Sequence, residues 1–360
     1  MNDALNQRLR AELHELADGG RPVNLAHAAL RGAVRRRRTR SALVISAAAA
    51  IVAVTTFTVA GPLGRDNAPP AGGTRGFVVS SFRAGGDKPS TYLLDPRTGR
   101  YRKTPYSWTV VSPDGRQAVV LAATGPDGSP VRSGIGILDL RRDAVRWLPT
   151  PQPVQVPVWS PDGETVLATV PAGDPASFRS GGFVRVDVAS GRVASAPVSA
   201  QPPATGPFLW GPDGTTVVSS TIVSTPDAVD GGPGGPTVYD LTGRPLRHLA
   251  VPGNVLTLDP WSLSGRLLVL DGEAAGGRPQ QLVVDASTGR VVARVDTPHP
   301  ALGWRDDTHL LVRTDEGAVQ SVEIPSGTRR NLATLPQRDI DDVFLTPAAG
   351  LSDQARKNAF

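Results

Sequence analysis

Side chains able to carry out acid–base or metal chemistry are scarce in this chain. Cysteine is absent, which removes disulfides, thiolate metal sites and thiol nucleophiles, and only five histidines occur among 360 residues. His14 and His27 lie near the N-terminus, so His248, His299 and His309 are left for everything else. His14-Glu15 has no second histidine four residues on, so the zinc-binding helix motif fails. No Gly-x-Ser-x-Gly elbow presents a serine, and no Gly-x-x-x-x-Gly-Lys loop cradles phosphate. His309 beside Asp306 and Asp307 would suit a metal ion or a dyad, but the alignment below puts both acids in a turn. The loop DAVDGGPGGP at 227–236 sets two acids among glycines without the alternating oxygen ligands of a calcium loop. The expectation is a protein that is not an enzyme, with no catalytic residue, no cofactor and no metal.

A second set of acids, Asp114, Asp162 and Asp213, recurs in a fixed setting. The stretch VWSPDGETVLATV at 158–170 centres on Ser160-Pro161-Asp162-Gly163. Proline sets φ for the first corner of a β-turn, aspartate bonds its own backbone, and glycine takes positive φ. Apolar runs on both sides make the unit a β-hairpin. It returns as VVSPDGRQAVVL with Ser112-Pro113-Asp114-Gly115, as LWGPDGTTVVSS with Pro212-Asp213-Gly214, as PWSLSGRLLVL, and weakly as GWRDDTHLLV. Aligned on Ser112, Ser160, Gly211, Ser262 and Arg305, the copies lie 48, 51, 51 and 43 residues apart. Turn chemistry accounts for each carboxylate, and the accompanying Trp159, Trp210, Trp261 and Trp304 read as packing residues. Trp108 and Trp147 fall off this register and are expected to be exposed.

Each hairpin is followed by an apolar strand ending in Asp and a Gly-Arg turn: YLLDPRTGR, VRVDVASGR, TVYDLTGR and LVVDASTGR, with degenerate forms at 136–144 and 321–329. Six second halves face five first halves. The missing first half is expected at VFLTPAAG, with Leu345-Thr346-Pro347 standing for Trp159-Ser160-Pro161. Four strands per unit of about 45–50 residues is the periodicity of a propeller blade. Unbroken runs such as LLVL fit strands covered on both faces. The reading is an all-β, six-bladed β-propeller over 76–350, closed by a C-terminal strand that leaves no sheet edge unpaired at the seam.

The paired motifs Trp-Ser-Pro-Asp-Gly and Asp-x-x-Thr-Gly-Arg resemble the TolB-type, WD-like β-propeller repeat family. The likeness covers 76–350 and is to the repeats. It implies a binding scaffold at a bacterial cell envelope.

The N-terminal residues differ in kind. Residues 1–40 hold nine arginines and four acids, which accounts for the whole excess of +5. The remainder is electrically balanced and gives no case for nucleic acid. Residues 41–63 carry no charge and, as a helix, would span about 35 Å against a hydrocarbon core of about 30 Å. Arg35, Arg36, Arg37, Arg38 and Arg40 stand before it, which orients the N-terminus to the cytoplasm and the propeller outside. A cleaved signal peptide ending near Thr58-Val59-Ala60 is the rival reading. The organisation expected is a cytoplasmic, Arg-rich helical segment (1–40), a transmembrane helix (41–63), a Pro/Gly linker (64–75), the propeller (76–350) and a tail (351–360).

In an up-and-down blade the first and third turns share one end, and these carry the repeated motifs. The other end collects long, irregular connections, 123–134, 171–182, 224–236 and 271–280, joined by 149–157, 196–207 and 250–259. Function concentrates on variable loops held by a rigid scaffold. The expectation is a membrane-anchored, extracytoplasmic propeller whose irregular face binds an envelope protein or glycan. Two alternatives stand beside it: a single-pass sensor of the anti-sigma kind, with a cytoplasmic partner on residues 1–34, and a propeller hydrolase or lactonase.

Overall fold

The Ser160 N–H donates to Thr165 O at 2.8 Å, closing the hairpin that the proline and glycine prescribe. The same bond closes four more hairpins, Ser112 to Gln117, Gly211 to Thr216, Ser262 to Leu267 and Arg305 to His309, and Ala348 makes it to Gly76 across the two ends of the domain. These six pairings start six sheets, arranged as a ring in the computed structural model. The structure describes residues 76–348 apart from 86–89, 124–133, 174–178, 200–202, 224–231, 275–276 and 336–339, together with Leu351 and Arg356. The segments 1–40, 41–63 and 64–75, with Arg35–Arg38 and Arg40, lie outside the described residues, as does most of the 351–360 tail. Among the described residues no helix is long and apolar enough to cross a membrane.

Blade 1 pairs the chain's two extremes. Its strands Phe77–Ala84, Ser90–Leu94 and Tyr101–Thr104 take Ile340–Pro347 as their innermost member. The closing register runs from Phe77↔Pro347 to Ala84↔Ile340. Hydrogen bonding places Ala348, not Thr346, at the position of Ser160, so Pro347 stands where the other blades have tryptophan. The closing strand therefore sits two residues later than the motif alignment suggests. The turn glycine has no role there, because the chain need not turn.

Blades 2, 3, 4 and 6 are four-stranded meanders. Their innermost strands are Tyr106–Val111, Gln155–Trp159, Ala204–Trp210 and Gly303–Trp304. In blade 5 the innermost segment is held by two isolated bridges, Asn254↔Asp271 and Trp261↔Leu268, beside a three-stranded sheet. The second strands are buried on both faces: Val119, Val120, Val166, Leu167, Leu268, Leu270, Leu310 and Leu311 have essentially no exposed surface.

Tryptophan joins the blades. Trp159 Nε1 donates to Val110 O (2.8 Å), Trp210 to Val158 O (3.4 Å), Trp261 to Trp210 O (2.9 Å) and Trp304 to Pro260 O (3.0 Å). Each indole thus reaches back to the preceding innermost strand, burying its ring and satisfying its one donor. Trp108 contradicts its expected exposure. It is buried, packs edge-on against Phe344 of the closing strand (ring centroids 4.9 Å apart), and donates forward to Pro157 O. Trp147 is half-buried against Tyr106.

Candidate binding site at the channel mouth

The repeated turns build one end of the ring, each held by bonds within itself. Ser112 Oγ donates to Asp114 (2.6 Å) and accepts the Gln117 amide (3.1 Å). Ser160 does the same with Asp162 and Thr165. In blade 4 the serine is Gly211. A Cβ there would overlap Thr216 Oγ1, so the threonine hydroxyl occupies the missing serine's space. Burial works to raise the Asp213 carboxyl, but bonds from Thr215 and Thr216 outweigh it and leave it below its ordinary value. Gly163, Gly214 and Gly265 each face the turn proline of the preceding blade, Pro113, Pro161 and Pro212. The turn residues of blades 2 to 5 thus adjoin in an arc, with their prolines rimming the channel.

The other candidate groups are absorbed locally. His309 Nδ1 bonds Asp306 at 2.9 Å, and Asp307 turns away to blade 5. Burial works to raise the Asp306 carboxyl, yet bonds from His309 and Thr308 leave it below its ordinary value. His248 bonds Thr237 (2.9 Å) on the outer edge of blade 4. Among the described residues no three His, Cys, Asp or Glu side chains are grouped to hold a metal ion.

Inside the ring is a cavity of about 710 Å³, within the size range of small-ligand sites. All innermost strands run towards the repeated turns, so their starts gather at the opposite, irregular end. At the turn end the rim is apolar, formed by Pro113, Pro161, Pro212, Leu263 and Pro347. At the irregular end it is charged, and sequence reasoning missed this. The lining residues are His299, Arg313, Asp315, Asp341 and Asp342, and Arg83 backs Asp342.

Two of these are buried arginines. Arg83 pairs with Asp342 (3.0 Å) and lies 5.7 Å from the centre of the Trp108 ring, in cation–π range. Arg313 Nη1 donates to Ile340 O (2.6 Å), and its Nη2 donates to His299 Nδ1 (2.9 Å). Burial pushes the Arg313 guanidinium below its ordinary value, against the pull of Asp342, Asp341 and Asp315. It remains a cation at neutral pH. His299 Nε2 faces Asp315 at 3.2 Å. Arginine offers only donors, so Nδ1 must accept and the ring carries its proton on Nε2.

One signal for Arg313 was present in the sequence. From the turn-closing position, the fifth residue of each second strand is Ser80, Leu121, Thr169, Ser220, Asp271 or Arg313. Thr169 accepts the Phe208 amide, and Ser220 the Val255 amide, each tying its blade to the next. Arg313 makes the equivalent tie from blade 6 to the closing strand. The innermost strands also bulge at this end, in blades 2, 3 and 4. In blade 3 the bulge holds Val156 at φ 49°, a strained conformation for a β-branched residue.

The fold has many counterparts among solved structures, of which 1017 chains match. TolB from Acinetobacter baumannii aligns with a TM-score of 0.54 and 14% identity, over 76% of this chain and 67% of that one. The propeller resembles that of TolB in fold. No protein-family model matches the sequence, and no curated protein matches it. At 14% identity the likeness is one of fold, and it agrees with the repeat motifs of residues 76–350.

Proposed function

We propose that this protein is a non-enzymatic binding scaffold of the bacterial cell envelope, recognising a protein or glycan at the irregular face of its propeller. The observation that carries the reading is the polarity of the channel. One rim is a collar of turn residues committed to each other. The other opens a cavity of about 710 Å³ among charged side chains on strand starts and loops. Polar groups at the mouth of a largely apolar pocket supply orientation and specificity for a ligand.

Chain direction supports the same face. Gly76 enters the propeller at the turn end, and Ala348 leaves beside it. An N-terminal anchor through residues 41–63 would therefore hold the turn collar towards the membrane and present the charged mouth outwards. On this reading the protein is a single-pass membrane component with its propeller extracytoplasmic.

In-cell crosslinking of the full-length protein, followed by peptide mapping, tests the reading. Crosslinks from the 149–157, 196–207 or 250–259 connections to an envelope protein support it. Exclusive crosslinks from residues 1–34 to a transcription or signalling protein would replace it with the sensor alternative. Protease protection of the propeller in intact cells would contradict the orientation.

A further inference from the structure

At the blade 6–blade 1 seam, blade 6 meets the sheet whose innermost strand comes from the C-terminal end of the propeller. Other seams near the mouth are tied by small hydroxyl side chains: Thr169 to Phe208, Ser220 to Val255 and Thr257 to Ala301. At this seam the tie is a buried arginine, and its second partner is an imidazole. Arg313 holds the first residue of the closing strand through Ile340 O, while His299 Nδ1 accepts from its other nitrogen.

We infer that His299 and Arg313 form a pH-sensitive latch on the closing strand, regulating the channel mouth proposed above as the binding site. The logic is one of donors. With Nδ1 unprotonated, the imidazole accepts from Arg313 and donates to Asp315, and the guanidinium is fixed between ring and Ile340 carbonyl. A proton on Nδ1 turns the acceptor into a donor facing a donor, and sets two cations together at 2.9 Å separation.

The surrounding charges decide which partner is lost. Asp315, on the turn after Arg313, faces the far nitrogen and strengthens its hold on a charged ring. Asp341 and Asp342, on the closing strand, also attract the Arg313 guanidinium. Asp342 is already engaged by Arg83 of blade 1, and Asp259 of blade 5 lines the same channel. The protonated ring keeps Asp315 and sheds Arg313. Arg313 then loses the contact that aims it at Ile340, and the start of the closing strand loosens. The latch is closed at neutral pH and opens on acidification.

Hydrogen exchange on the full-length protein in detergent, without any ligand, tests this apart from the binding reading. Exchange of a peptide spanning 340–347 is followed from pH 7.5 to 5.5, corrected for intrinsic rates. The innermost strand of blade 3, Gln155–Trp159, is the internal reference. Protection of 340–347 should fall about tenfold, the order expected for one lost hydrogen bond to a charged group, while 155–159 holds steady. In His299→Gln the fall should vanish. In Asp315→Asn, which keeps the imidazole, it should move to lower pH. A pH-independent 340–347 in the wild type, a parallel loss in 155–159, or an unchanged fall in His299→Gln or Asp315→Asn overturns the latch. Crosslinking at the irregular face can fail while the latch stands, and the reverse.

Discussion

Asp307 of blade 6 accepts the Ser264 amide of blade 5 at 2.7 Å, serving a turn that lacks an aspartate of its own. In blade 5 the repeat reads Ser262-Leu263-Ser264-Gly265, with serine where three other blades have Asp114, Asp162 or Asp213. The carboxylate arrives instead from the neighbouring turn. Burial works to raise the Asp307 carboxyl, while bonds from the Ser264 amide and from the Ser264 and Ser262 hydroxyls bring it below its ordinary value.

Asp307→Ala should therefore cost about 1.5–3 kcal/mol, the range for losing hydrogen bonds to a charged acceptor. Ser264→Asp in the wild type should also destabilise, since it sets two carboxylates against each other. Combined, the two changes should restore most of the loss, because the introduced carboxylate would then act in its own turn. Chemical denaturation of the four proteins in a double-mutant cycle reads the coupling. Additive losses would show that Asp307 does not stand in for the missing residue.

The interlocked glycines and prolines predict a graded series. A Cβ at Gly265 would lie 2.6 Å from Pro212, whereas one at Gly163 would lie 3.4 Å from Pro113, at similar positive φ. Both Gly→Ala changes carry the backbone penalty of roughly 1 kcal/mol. Gly265→Ala adds overpacking of about 1–3 kcal/mol. Thermal midpoints should fall further for Gly265→Ala than for Gly163→Ala.

Trp304 is fully buried and donates to Pro260 O. Trp304→Phe keeps most of the apolar surface but strands a carbonyl, so a loss of about 1–3 kcal/mol is expected. Trp304→Ala should cost about 3–5 kcal/mol. Calorimetry distinguishes the two steps.

The third-turn aspartates predict the acid limit of the fold. Side-chain bonds from Thr242 to Asp240 and from Ser287 to Asp285, with backbone amides, hold these carboxyls at about 2. A carboxyl depressed in the folded state stabilises above its unfolded value of about 4, and that contribution is lost as pH falls to about 2. The melting temperature should decline between pH 4 and 2. In Asp240→Asn with Asp285→Asn the decline should be shallower, from a lower starting point.

The ring was legible in the sequence because its turns are local. Pro161, Asp162 and Gly163 fix a hairpin regardless of what lies elsewhere, and its five copies define the period. The outer turns around Asp95, Asp187, Asp240 and Asp285 were legible for the same reason. The mouth was not. Arg83 meets Asp342 only after the chain has circled the ring, and Arg313 meets Ile340 on a strand that no repeat motif marks. Trp108 is buried by Phe344, a partner on the closing strand that local spacing does not reveal. The two-residue offset of that strand was hidden too, since proline fills the tryptophan position and no turn constrains it.

The Ala348 amide donates to the Gly76 carbonyl at 2.8 Å, so the propeller begins and ends at one point. In topological terms the domain is a closed band of six units cut once, beside the strand exchange of blade 1. A short bridge from Ala348 to Gly76 with new termini in a connection between two other blades would leave every sheet intact. The order of the blades around the ring matters to this molecule; the place where the ribosome starts the circle does not.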